Sequence, residues 1–265
     1  MRARWRAVRW LWLLLLAMGL ADVAAVPTDE PTPRPTSDLT ALRYLTEEYK
    51  PYNYQEQHDP PTGLSVELLH CIWQRLGIAA QPIRVLPWAR GYNLLSNQPD
   101  VVLFSTAQTR TRLPLFQWAC PIARSPIVLI ALKESRIRLQ SVQQLDRYRI
   151  TAIRNDVGEQ LLQSQGVDPD AIHNSNALQQ ALKQLPLHRT DLVSSNGPVA
   201  WQLLRDMGAD LSRYEEVWTL GSEQFCYAFS RQVDPQLVRQ FQQALDEVRQ
   251  QADYPALLHK FGLTP

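Results

Sequence analysis

An α/β protein built as two lobes is what this sequence predicts, on three observations. Short apolar runs of strand length alternate with amphipathic segments of helix length, a rhythm that lays helices over a mostly parallel sheet. The alternation comes in two runs, each too short for one large sheet. About 240 of the 265 residues remain once the N-terminal segment is set aside, enough chain for two lobes with their own cores.

The N-terminal segment reads as an export signal. MRARWRAVR places four arginines in the first nine residues, WLWLLLLAMGL follows as an apolar run, and Val23, Ala24 and Ala25 put small residues ahead of a cleavage site. That is the layout of a secretory signal peptide over residues 1–25. The apolar run falls short of the ~20 residues that a membrane-spanning helix needs. No cysteine directly follows it, so a lipid anchor is not expected. Removing this segment takes away four arginines and Asp22, which lowers the formal net charge from +1 by three, to −2. Such a balance favours neither nucleic acid nor an anionic membrane surface as a partner. No second hydrophobic span appears, so a soluble periplasmic protein is expected.

The elements follow in order. Residues 26–38 (VPTDEPTPRPTSD) carry four prolines and no periodic apolar pattern, and read as an extended leader. LRYL at 42–45 has strand character. In LSVELLHCIWQRL at 64–76, Val66, Leu69, Ile72, Trp73 and Leu76 recur at helical spacing, and Gly77 is a stop signal. IRVL at 83–86 and VVLF at 101–104 read as strands around a polar-flanked segment that ends near 98. The rhythm then returns with strands IVLIAL at 127–132 and ITAI at 150–153, and with a helix at 158–165 that stops at Gly166. Asn176 can cap a helix carrying Leu178, Ala181, Leu182 and Leu185. A short strand DLV at 191–193 precedes a helix with Val199, Trp201, Leu203 and Leu204. FCYAF at 225–229 is another strand, and residues 235–250 carry Leu237, Val238, Phe241, Leu245 and Val248 on one helical face.

The chemistry-bearing residues support no catalytic reading. There is no G-x-G-x-x-G, phosphate-binding loop or G-x-S-x-G. His58, His70, His173, His188 and His259 are scattered, with no nucleophile or carboxylate at motif spacing. The pairs Glu47-Glu48 and Glu215-Glu216 read as solvated faces. No Cys/His spacing resembles a metal site, and no cofactor is expected. Three cysteines in an oxidising compartment allow at most one bridge. Cys71, on the apolar side of its helix, reads as a small hydrophobe. Cys120 and Cys226 lie beside two apolar strands and either pair or stay reduced.

Several stretches together resemble the family 3 periplasmic solute-binding proteins, the amino-acid-type receptors of ABC transporters. LRYLTEEYKPYNYQEQHDPPTGLSVELLHCIWQRLG resembles the family's opening. PWARGYNLL (87–95), PDVVLFSTAQTRTRLPLFQWACPI (99–122), RYRITAIRNDVGEQLLQSQG (147–166), HRTDLVSSN (188–196) and QALDEVRQQADYPALLHKFG continue it in the right order. The resemblance implies the two-lobed type II fold, with a central mixed sheet in each lobe and a two-strand hinge. The first lobe is then built from residues 39–123 and 225–265, and the second from 124–224. It also implies a monomer that holds a small-molecule ligand in the inter-lobe cleft and delivers it to an ABC permease in the inner membrane.

The same resemblance assigns roles. In the family, a Thr-x-x-Arg turn supplies the arginine that holds the ligand's α-carboxylate, and Thr109-Arg110-Thr111-Arg112 has that spacing. Arg112 is thus the expected grip, Thr109 the cap of its turn, and Arg110 an exposed residue. A guanidinium suits the task because its planar fork binds both carboxylate oxygens. Ser105 and the backbone N–H of Ala107 complete the implied cradle. Tyr49 matches the ring that covers the ligand side chain, with Tyr52 and Trp88 as further aromatic candidates. In the second lobe the chain departs from the pattern. Asn196 stands where the family has an acid for the ligand ammonium, and Asn155-Asp156-Val157 replaces a Gly-Ser/Thr pair. Asp156 is left either as the acid that receives the ammonium or as a helix cap. The ligand implied is an amino acid or another small carboxylate. The rival readings are a soluble sensor partner and a dehydratase-like enzyme on the same fold.

Overall fold

The computed structural model describes residues 38–57, 59–251 and 253–263. The expected signal peptide, and all of the leader except Asp38, lie outside these residues. β1 (Arg43–Thr46) leads through α1 (Leu64–Arg75) to β2 (Ile83–Val85), and α2 (Trp88–Asn97) leads on to β3 (Val101–Ala107). β4 (Gln117–Leu132) precedes β5 (Ile150–Ile153), α3 (Val157–Ser164), β6 (Ile172–Ser175), α4 (Leu178–Gln184), β7 (Leu192–Asn196) and α5 (Gly197–Asp206). β8 (Tyr214–Phe229) returns the chain to α6 (Pro235–Arg249) and α7 (Asp253–Lys260).

The strands form one mixed sheet in the order β2-β1-β3-β8-β4-β7-β5-β6. β2, β1 and β3 are parallel at one end, and β7, β5 and β6 are parallel at the other. Between them run β8 and β4, each 16 residues long and antiparallel to the other, from Gln117 opposite Phe229 to Leu132 opposite Tyr214. β3 pairs with the Phe229 end of β8, and β7 pairs with residues 127–130 of β4. Each half is thus a mixed sheet, and two long strands run through both.

Alternation along the strands sorts the core into two layers, because successive side chains point to opposite faces. Val102, Phe104, Ile127, Leu129 and Ala131 join α1, α3 and α6 on one face. Leu45, Leu103, Val128, Ile130 and Leu132 join α2, α4 and α5 on the other. Helix starts follow their caps. Asp234 accepts from the N–H of Gln236 ahead of Pro235, and Asn196 accepts from the N–H of Val199 at 3.1 Å.

The differences from the sequence reading have local causes. IVLIAL and FCYAF are the continuous apolar ends of strands more than twice as long. The crossing stretches before them, with Arg124, Ser125 and Pro126 on β4 and Glu223 and Gln224 on β8, break the apolar pattern. β6, with sequence IHNS, buries only its first and last residues, and so carries no strand signal. α2 and α7 are helices that the periodicity left unassigned. Cys120 and Cys226, left open by the sequence, form a disulfide between β4 and β8. Cys71 is free and half-buried, packed against the core.

Candidate functional site

In sheets of parallel strands flanked by helices, ligands bind outside the carboxyl ends of the strands. Here five such ends converge on one cleft of about 990 Å³. Glu47–Lys50 follow β1, Leu86–Trp88 follow β2, Asp156 follows β5, Asn176–Gln179 follow β6, and Ser195 lies near the end of β7. The volume matches the upper end of small-molecule sites, roughly 300–1,000 Å³.

Of the residues expected at the site, Tyr49, Trp88 and Asp156 line this cleft. Arg112 lies against it, fully buried at 0% exposure. Its guanidinium sits 5.0 Å from the Trp88 ring and 5.2 Å from the Tyr92 ring. Its Nη1 donates to the carbonyl of Ala107 at 3.2 Å and its Nη2 to the carbonyl of Asn155 at 2.8 Å, while Nε has no partner among the described residues. Trp88 Nε1 donates to the same Asn155 carbonyl at 3.0 Å. Asn155 follows β5 and holds φ at +60°, a left-handed turn that asparagine tolerates. These two bonds therefore link the β1–β3 half of the molecule to the β5–β7 half. The Thr109 hydroxyl accepts from the N–H of Arg112 at 3.3 Å and so supports the turn, and Arg110 is exposed.

The other expected residues stand elsewhere. The Ser105 hydroxyl is 2.7 Å from that of Ser65 and donates to the Asn53 side chain, inside the core beneath α1. Ala107 is buried, and its carbonyl holds Arg112. Tyr52 packs edge-on against Phe225 at 5.3 Å and is 1% exposed. Asn196 is buried, caps α5 through its side-chain oxygen, and leaves its Nδ2 without a partner among the described residues.

Of the seven charged residues that line this cleft, the sequence reading named only Asp156 as a site residue. Glu47, grouped with Glu48 as a solvated pair, is half-buried in the cleft wall, because it is the first residue beyond β1. That position at a strand's carboxyl end was the signal that could have found it. Lys50 and Asp206 face each other across the cleft at 3.5 Å, and Lys50 also pairs with Glu56 at 3.1 Å.

Burial dominates the electrostatics. It pushes the Glu47 carboxyl well above the usual range; Asp156 adds to the effect and Arg112 opposes it. Burial also raises Asp156, against the opposing pull of Arg112 and of the Val157 N–H that the carboxylate accepts. Arg112 is itself lowered by burial, which the neighbouring acids and tyrosines counter. Two carboxyl groups are therefore held where ionisation is costly unless a cation comes close.

Among the described residues, no group of three His, Cys, Asp or Glu side chains is placed to hold a metal ion, and no helix is long and apolar enough to cross a membrane. A second cavity of about 300 Å³, lined mainly by Cys71, Val248, Tyr254 and Leu257, lies beside α7, away from the strand ends.

The family model described as bacterial extracellular solute-binding proteins, family 3, matches residues 42–264. No curated protein matches the sequence. Among solved structures, a histidine kinase sensor domain with similarity to periplasmic binding proteins superposes with a TM-score of 0.76 at 19% identity, covering 85% of this chain and 98% of that one. The arginine-, lysine-, histidine-binding protein ArtJ from Geobacillus stearothermophilus gives 0.73 at 16% identity, over 84% and 96%. An ABC uptake transporter substrate-binding protein from Streptococcus pneumoniae with bound histidine gives 0.72 at 15% identity, over 83% and 91%. At these identities the likeness establishes the fold.

Proposed function

The chain belongs to the bacterial extracellular solute-binding proteins of family 3, and on that premise we propose that it captures an amino acid or related small carboxylate in the cleft and delivers it to an ABC permease. The observation that carries this reading is the cleft of about 990 Å³ at the strand ends, with Tyr49, Trp88 and Asp156 in its wall and Arg112 stacked behind Trp88. Residues 39–123 with 225–265 form one lobe and residues 124–224 the other, and β4 and β8 carry the hinge between them. When the lobes part, the Asn155 carbonyl leaves Arg112, and the ligand carboxylate takes its place on the guanidinium. A bidentate charged pair of this kind is strong when water is excluded. The protein is exported to the periplasm by residues 1–25 and works there as a monomer without cofactor or catalysis.

Support comes from family membership and from amino-acid-binding proteins of the same fold, one of arginine, lysine and histidine and one with bound histidine. Calorimetry of the purified protein against the amino acids and small organic acids is the test. A micromolar ligand, near −8 kcal/mol, is expected. Arg112→Lys keeps the charge but loses the fork, and is expected to weaken binding at least tenfold. Unchanged affinity in that variant removes Arg112 from the site, and conversion of the bound ligand to a product, seen by mass spectrometry, removes the non-catalytic reading. Deleting the gene is expected to abolish high-affinity uptake of the ligand. Unchanged uptake would instead favour sensing, the setting of the histidine kinase domain that shares the fold.

A further inference from the structure

The charged residues lining the cleft are six carboxylates and one ammonium. The ammonium, Lys50, is already paired with Glu56 and Asp206. Glu47, Glu48, Asp59 and Asp156 are left without an ion-pair partner within 4 Å among the described residues. The nearest buried cation, Arg112, has its two terminal nitrogens on backbone carbonyls and its guanidinium against two aromatic rings. Glu48 and Asp59 are exposed, but Glu47 and Asp156 are half-buried, and half-buried carboxylates without a counter-ion are costly to a folded protein unless an incoming cation repays them. Glu47 and Asp156 approach from opposite halves of the molecule, one beyond β1 and the other beyond β5, so a group between them touches both walls of the cleft. Tyr49 and Trp88 lie in the same lining, and aromatic faces attract organic cations.

We propose that the ligand carries a net positive charge, with an ammonium or guanidinium head seated between Glu47 and Asp156 against Tyr49 and Trp88, and that acidic solutes are excluded. This rests on the binding-protein reading above and narrows its ligand class. Asp156 keeps its contact with the Val157 N–H at 2.6 Å as the cap of α3, so one residue closes the site and starts the helix.

The test is calorimetry with arginine, lysine, their decarboxylated counterparts agmatine and cadaverine, glutamine and glutamate. At least one cation is expected to bind 100-fold more tightly than glutamate. Glu47→Gln and Asp156→Asn are each expected to weaken that cation at least tenfold. Both variants are near-isosteric, and asparagine is also a good helix cap, so unfolding midpoints no lower than that of the parent protein show that the loss is local. Glutamine or glutamate binding as tightly as every cation overturns this inference and leaves the binding-protein reading standing. Cation affinity unchanged in both variants overturns the seat at Glu47 and Asp156. Agmatine binding as tightly as arginine keeps the inference and removes the carboxylate grip from Arg112. No binding by any member of the panel overturns this inference, and the wider screen of amino acids and organic acids then decides the binding-protein reading.

Discussion

Glu47 joins a proposed ligand contact to a cost in stability. Burial holds its carboxyl in the protonated form to higher pH than in the unfolded chain, where glutamate titrates near about 4.3. The folded state thus binds the proton more tightly, and its stabilising contribution is complete below that unfolded value. The contribution is lost as pH rises through the raised folded value. Asp156, Glu48 and Arg112 face the same group, the acids raising and the arginine lowering its titration. Glu47→Gln is therefore expected to raise the unfolding midpoint at pH 8, by about 2–4 °C for each kcal/mol relieved, and to leave it unchanged at pH 4. Calorimetric scans of both proteins at the two pH values check this. A gain of equal size at both pH values would assign the effect to packing instead. Asn196 poses a smaller question of the same kind, since its oxygen caps α5 while its Nδ2 is unpartnered among the described residues. Asn196→Ala is expected to cost about 1 kcal/mol. Asn196→Asp, which keeps the accepting oxygen, is expected to cost less in the same urea titration.

At the scale of elements, the two long strands do most of the organising. β4 and β8 pair along both halves of the sheet, and the Cys120–Cys226 bridge joins them across 106 residues of sequence. A cross-link spanning so long a loop mainly constrains the unfolded chain and contributes about 2–5 kcal/mol. Cys226→Ser is expected to lower the unfolding free energy measured by urea titration by that amount, with no added loss when the variant is treated with reductant. α6 packs its buried Val238, Phe241, Ala244, Leu245 and Val248 onto the layer that holds Tyr227 and Phe229, with Phe241 edge-on to both rings at 5.0 and 5.2 Å. Truncating it by Phe241→Ala is expected to cost about 3–5 kcal/mol, because a fully buried ring leaves a cavity.

At the scale of the whole molecule, the contacts that hold the two halves of the cleft together are few among the described residues. They include the shared Asn155 carbonyl, the weak contacts of Thr109 and Thr111 with Gln160 at 3.3 and 3.4 Å, and the half-exposed Lys50–Asp206 pair. A pair as exposed as Lys50–Asp206 adds about 0–1 kcal/mol, so on the proposed binding reading ligand contacts readily shift the balance between open and closed forms. Binding must then appear as added stability of the whole. Ligand at 100 times its dissociation constant is expected to add about 2.7 kcal/mol, which raises the unfolding midpoint by about 5–10 °C for a chain of this size. A smaller rise at that saturation would mean that the unfolded chain also binds the ligand.

What the sequence determined by itself is whatever depends on near neighbours in the chain. The alternation of strands and helices, the helix faces from Val66 to Trp73 and from Leu237 to Val248, and the turn that carries Arg112 are all written at spacings of two to four residues. The ordered resemblance added the fold, because the succession of such elements is itself a pattern. Tertiary structure alone decided what depends on distant residues. Arg112 meets the carbonyl of Asn155, 43 residues away, and a backbone carbonyl has no signature in a sequence. Glu47 is half-buried because the cleft forms around the end of β1, with Asp156 beyond β5 in the same lining, although beside Glu48 it looked like any charged surface pair. The same long range joined Cys120 to Cys226 and carried β4 through its polar crossing. Periodicity reports which face of an element is buried, and only the packed sheet decides what that face meets.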